Sequence, residues 1–85
     1  MLTVNTIICS NCGDQIYSRT RHDWRPCTCG SVYIDGGFDY LRIGGTNFTR
    51  KELVLPPPIT ERTLYDDWNT RKDLYGLIPK ELHND

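Results

Sequence analysis

Cys9-Ser10-Asn11-Cys12-Gly13 and Cys27-Thr28-Cys29-Gly30 are the two stretches whose reading decides the fold of this chain. Two thiolates separated by two residues can turn toward one ion while backbone amides point at the sulfurs. Gly13 relieves the turn just after the second of them. The second pair is tighter, with a single residue between its cysteines. Fourteen residues lie between Cys12 and Cys27, enough for a short hairpin that brings the pairs together. Four thiolates at about 2.3 Å make a closed tetrahedral shell around Zn²⁺. Such a shell leaves no position for water, so the expected ion is structural, one per chain, on Cys9, Cys12, Cys27 and Cys29.

Other uses of the cysteines fit less well. A disulfide between Cys27 and Cys29 would close a badly strained ring. No thioredoxin-like βαβ pattern surrounds Cys9 and Cys12, so a redox pair there has little support. His22 could stand in for one thiolate, although four already complete the shell.

The chain has 85 residues and a formal net charge of −1. A chain of this size buries only about 60–65% of its unfolded surface, and domains this small often carry a staple. Residues 1–50 hold five Arg against four Asp, and residues 51–85 hold five Lys/Arg against seven Asp/Glu. Neither half is polarised enough to steer a partner strongly, and a dedicated nucleic-acid binder usually shows a basic excess. Met1 to Ile8 lacks the basic start of a signal peptide. No stretch approaches the ~20 apolar residues of a membrane span. The expected compartment is a reducing cytoplasm, where cysteines at short spacing read as metal ligands.

Around the cysteines the pattern is that of strands. Met1 to Ile8 is β-branched and roughly alternating, and Gln15 to Ser18 is a second short strand candidate. Ser31 to Ile34 leads to Asp35-Gly36-Gly37, whose glycines suit a tight hairpin turn, and Phe38 to Ile43 is the expected return strand. Asn47 to Leu55 adds a further strand. Pro56-Pro57-Pro58 favours an extended polyproline form. A helix is expected over Thr60 to Leu74. Thr60 or Thr63 would cap its start, with Glu61 and Asp66 near the positive end of the dipole. Tyr75-Gly76 would close it, with Pro79 following. Its apolar stripe, Leu64 and Trp68, is thin, so it needs a docking surface. The expected architecture is a small zinc-stabilised β domain of zinc-ribbon-like β-hairpins over residues 1–55. An appended Pro-led arm and C-terminal α-helix occupy residues 56–85.

The blocks Cys9 to Ile16, Ser18 to Trp24, Cys27-Thr28-Cys29-Gly30 and Asp35 to Arg42 resemble a family of small, mostly uncharacterised proteins of bacteriophages and bacterial genomes. Their pattern runs CxxCGDxI, SxxRHDF, CxCG and DGGxDYxR, with Trp24 here in place of Phe. The resemblance covers Cys9 through Arg42 and leaves residues 46–85 without a counterpart. It implies a zinc-ribbon-like fold and a phage or mobile-element origin, and it implies no settled activity.

Arg21-His22-Asp23 invites a catalytic reading with His22 as base. Adjacent residues rarely face one another well enough for that, and no nucleophile is free of the metal. The structural expectation is that Arg21 or His22 donates hydrogen bonds to the turn or the thiolates. Asp23 would accept loop amides and Trp24 would be buried. Asp35 and Asp39 flank a turn, where Asp commonly bonds local amides. Tyr33 and Tyr40, with Arg42, are placed on one cross-strand face.

The function expected is that of a non-enzymatic, phage-type zinc-binding protein that binds and modulates a host protein, such as an enzyme or a defence factor. Tyr65, Trp68 and Arg71 on the arm, with Arg21 and His22, are the candidate partner contacts, being residue types that anchor interfaces. The arm could instead exchange between protomers and form a homodimer. The alternative is a zinc ribbon that binds nucleic acid or a transcription complex through a basic spot at Arg19, Arg21 and Arg25. An enzyme using Asp35, Asp39 and His22 is a third reading.

Overall fold

Strand β1 (Leu2–Cys9) organises the molecule because it contributes residues to both core clusters, Val4 on one face and Ile7 and Cys9 on the other. In this computed structural model, which describes residues 2–78, Val4 is buried with Tyr17, Leu55 and Leu64. Ile7 and Cys9 are buried in a second cluster with Ile16, Cys27, Val32 and Ile34. A β-branched run suits such a pleated, doubly packed position. Strand β2 (Gln15–Ile16) pairs antiparallel with β1 through Ile7↔Ile16. Strands β3 (Arg25–Pro26), β4 (Tyr33–Asp35) and β5 (Arg42–Gly44) form a separate three-stranded antiparallel sheet. Its Ile34 and the adjoining Val32 close over Ile7 and Ile16.

Strand β6 (Phe48–Leu55) lies along the whole of β1, from Leu2↔Leu55 to Cys9↔Phe48. Helix α1 (Glu61–Thr70) follows, and strand β7 (Leu77–Ile78) adds to β2. The larger sheet therefore runs β6-β1-β2-β7. Buried polar groups between its strands are satisfied in a chain: Gln15 Nε2 donates to Thr6 Oγ1 (2.8 Å), and Thr6 Oγ1 donates to the Lys51 carbonyl (2.7 Å). The result is a small β-rich fold of two antiparallel sheets and one helix near its C-terminal end.

The expected hairpin forms, but its turn is longer than the Asp-Gly-Gly reading implies. Strand β5 begins at Arg42 rather than Phe38, and residues 36–41 fold into a loop. The amides of Asp39 and Tyr40 both reach the Gly36 carbonyl, while the Gly37 amide donates to Ser18 Oγ at 2.9 Å. Gly36 sits at φ +92°, and a Cβ there would clash with the Tyr40 carbonyl oxygen. Tertiary contact with the 18–21 segment, not strand pairing, sets the path of this loop.

Two corrections fall after β6. Residues 56–59 make a turn, with the Ile59 amide on the Pro56 carbonyl at 3.1 Å, in place of an extended polyproline segment. The turn reverses the chain so that Ile59 packs on the Val4–Leu64 cluster. Thr60 caps α1 as expected: its hydroxyl accepts from the Thr63 amide, and its own amide donates to Thr63 Oγ1. The helix ends at Arg71 (φ 57°) rather than at Tyr75-Gly76. The reason is Asp67, whose carboxylate accepts from the amides of Leu74 (2.9 Å) and Tyr75 (3.0 Å) and folds the chain back over the last turn. Pro79 lies outside the described residues.

Candidate metal centre

The four cysteines converge from two turns. The first follows β1, where the Gly13 amide donates to the Cys9 carbonyl (2.8 Å) and the Cys9 amide to the Asp14 carbonyl (2.9 Å). The second lies between β3 and β4, where the Gly30 amide donates to the Cys27 carbonyl (3.0 Å) and the Cys27 amide to the Val32 carbonyl (3.1 Å). All four thiols are free, and their sulfurs lie within 4.8 Å of one another. Cys9 Sγ and Cys27 Sγ stand 3.6 and 3.4 Å from Cys29 Sγ. A tetrahedron with metal–sulfur bonds of about 2.3 Å has an edge of roughly 3.8 Å, so the four sulfurs fit one ion. Cys9 and Cys27 are buried in the hydrophobic core, Cys12 is half-buried and Cys29 is at the surface.

The turns also supply hydrogen bonds to sulfur. Desolvation pushes the Cys12 thiol up to about 11, against the opposing pull of the Asp14 and Cys29 amides. Hydrogen bonds from Ser31 and then Asn11 bring Cys29 down to about 5. Asp14 has a further role that the spacing of the cysteines does not reveal. Its buried carboxylate accepts from the amide of Thr28 at 3.0 Å and from the Thr28 hydroxyl. It thereby ties the first cysteine turn to the second. Its place directly after Cys12-Gly13 is the one sequence signal that points to it.

The second constellation is a buried ion network that sequence reasoning placed wrongly. Arg19 is 4% exposed. Its Nε donates to Asp23 Oδ2 (2.7 Å), and its Nη1 donates to Asp67 Oδ2 (2.8 Å) and Asp73 Oδ1 (3.0 Å). Burial disfavours its charge, but the carboxylates of Asp23 and Asp67 outweigh that cost and raise its pKa above the ordinary value. Arg25 pairs with Asp73 at 3.2 Å and stands 3.8 Å from Asp23. Arg19 and Arg25 are therefore matched by acids. Of the three arginines read as a basic spot, only Arg21 is exposed, and it faces Asp39 at 3.5 Å.

Asp23 accepts the Arg19 amide (2.9 Å), as expected of a loop carboxylate. Trp24, expected in the core, is instead 57% exposed and lies on Tyr33, with ring centroids 5.6 Å apart. Asp23 takes the buried position in this loop, held by Arg19, and its neighbour Trp24 is left at the surface. Tyr33 therefore does not join Tyr40, over which Arg42 sits at 5.0 Å. Asp35 bonds the Gly36 amide and pairs with Arg42, and Asp39 pairs with Arg21, so both serve local structure.

His22 lies away from the sulfurs, its ring 6.2 Å from that of Trp68, which in turn lies 5.9 Å from Tyr65. His22, Trp24, Trp68, Arg71 and Asp73 line a cleft of about 310 Å³ above the Arg19 network. The fold thus gathers His22, Tyr65, Trp68 and Arg71, while Arg21 lies with Asp39 and Tyr40. Among the described residues no helix is long and apolar enough to cross a membrane.

Comparison with curated proteins and with solved structures gives no match. Residues 1–45, which include all four cysteines and the three-stranded sheet, match the family described as a domain of unknown function, DUF7695. That match spans more than half of the chain, and the protein belongs to the DUF7695 family.

Proposed function

We propose that the protein is a non-enzymatic zinc-ribbon-like module in which one structural Zn²⁺ on Cys9, Cys12, Cys27 and Cys29 holds a protein-binding surface in shape. The observation that carries this reading is the convergence of four thiols at the edge of the core, at separations suited to one tetrahedral ion. Four sulfur ligands favour zinc and leave no open position for chemistry. The surface is the aromatic cleft of His22, Trp68 and Arg71, with Tyr65 beside it. Its mixture of Trp, Tyr and Arg is that of interface anchors. The resemblance to phage-borne proteins makes a host protein in the cytoplasm the expected partner. Nucleic-acid binding has less support, because the charges of Arg19 and Arg25 are met by aspartates.

Native mass spectrometry of the untagged chain, before and after chelation, tests the metal. One zinc per chain is expected, and a metal-free, folded chain would remove the reading. Capture from lysate tests the surface, comparing the wild type with Trp68→Ala and Arg71→Ala variants that keep their zinc. A protein retained by the wild type and lost by both variants supports the cleft. Equal retention by all three, or no retention at all, counts against it.

A further inference from the structure

Strand β6 is an edge of the larger sheet and is unpaired on its outer side among the described residues. Its inner side is fixed by hydrogen bonds. The Ser10 amide donates to Asn47, which lies in the same register as the Cys9↔Phe48 pairing, while the Cys9 amide points the other way, to Asp14. Amide direction alternates along an antiparallel strand. Thr49, Lys51, Leu53 and Leu55 therefore turn their amides toward β1, and Phe48, Arg50, Glu52 and Val54 present theirs outward. The side chains of these four also share one face. Val54 is 52% exposed, and among the described residues Arg50 and Glu52 have no ion-pair partner.

We infer that this edge pairs antiparallel with β6 of a second copy of the chain, across a two-fold axis at Lys51. A symmetric pair must set outward residues against outward residues. With the axis at Lys51, Arg50 faces Glu52 of the second copy, Glu52 faces its Arg50, and Phe48 faces its Val54. Each such pair exchanges both amide hydrogen bonds. Shifting the axis to residue 50 sets Arg50 against Arg50, and shifting it to residue 52 sets Glu52 against Glu52. Opposite charges across strands stabilise and like charges directly opposite destabilise, so charge selects one register. The same register covers Val54 with Phe48. Lys51 meets its own copy at the axis on the other face and weakens the pairing, as edge lysines do. This interface leaves the aromatic cleft clear and meets the cysteine-bearing core only through Phe48, which is half-buried against that cluster.

Sedimentation of the zinc-loaded full chain over micromolar to millimolar concentration tests the inference. A concentration-dependent dimer is expected. Arg50→Glu alone and Glu52→Arg alone each place like charges opposite one another twice, and should raise the dissociation constant roughly 10–50-fold. The double swap R50E/E52R restores both pairs and should return it to within a few-fold of wild type. Lys51→Thr should tighten the dimer by a few-fold. All three substituted positions are exposed and lie outside both core clusters, so each variant should keep its zinc and dichroism. A monomer at every concentration overturns the inference and leaves the edge to a strand from another protein. A dimer that both single variants leave unchanged, or that the double swap fails to restore, overturns it too.

Discussion

Arg19 is buried and touches three carboxylates, one of them (Asp67) in the last turn of α1 and one (Asp73) just beyond it. Removing the charge strands Asp23 and Asp67 in the interior. Arg19→Met should therefore cost about 3–5 kcal/mol, read from urea unfolding of the metal-loaded protein. Asp73 is 65% exposed, so Asp73→Asn should cost about 1 kcal/mol or less. Equal losses in the two variants would show that burial does not govern the network. Asp67 carries a pH signature. Burial disfavours its carboxylate, yet Arg19 and the amides of Leu74 and Tyr75 outweigh burial and lower its pKa. A depressed folded value gives stability that is fully present above the unfolded pKa, near 3.9, and is lost as pH falls through the folded pKa. With zinc in excess, the stability gap between wild type and Asp67→Asn should be flat near neutrality and narrow below about pH 4. A gap that widens on acidification would reverse the sign and refute the assignment. None of this was legible in the sequence. An arginine between Ser18 and Thr20 looks like any solvated charge until the partners 48 and 54 residues away are in place.

Helix α1 shows what local sequence can and cannot specify about an element. Its start was legible, because a threonine pair satisfies orphan amides wherever it occurs. Thr60→Ala should destabilise by about 1 kcal/mol. Its end was not legible, because a distant-acting carboxylate, Asp67, sets it before the glycine is reached. The docking surface that its thin apolar stripe demanded is the Val4–Tyr17–Leu55 cluster, which buries Leu64 completely. Leu64→Ala should cost about 2–5 kcal/mol in thermal or urea unfolding, whereas Trp24→Ala, on an exposed stack, should cost well under half of that. A small effect at Leu64 would mean that the helix is loosely attached. The cysteine turns were the most legible elements. Their ligands and glycines are local, and the fold needs only to bring two short loops together. Strands β3 and β7, unlike β2, carried no usable pattern: Arg25-Pro26 and Leu77-Ile78 are strands only through the neighbours they pair with.

At the scale of the molecule, the cysteine cluster and the helix are coupled through β1. Cys9 and Ile7 lie in the cluster with Cys27 and Val32, while Val4, three to five residues earlier on the strand, anchors Leu64. Arg19 adds a second link, from the segment between the cysteine turns to Asp67 of the helix. Apparent zinc affinities of structural sites correspond to about 10–16 kcal/mol, comparable to the whole stability of a small domain, about 5–15 kcal/mol. Loss of the ion should therefore unfold more than the cysteine turns. The sequence alone supports unfolding at least through residue 45 and leaves the fate of the helix open. The packing of Leu64 and Arg19 extends it through α1. Chelation should abolish the helical far-ultraviolet dichroism together with the near-ultraviolet signal of the aromatic residues, in one transition at one chelator concentration. Cys27→Ser should produce the same state without chelator, because Cys27 is both a proposed ligand and a core residue. Helical dichroism that survives when the near-ultraviolet signal is gone would show that α1 stands apart from the metal-dependent core. In that case the contacts of Val4 and Arg19 would be too weak to transmit the loss.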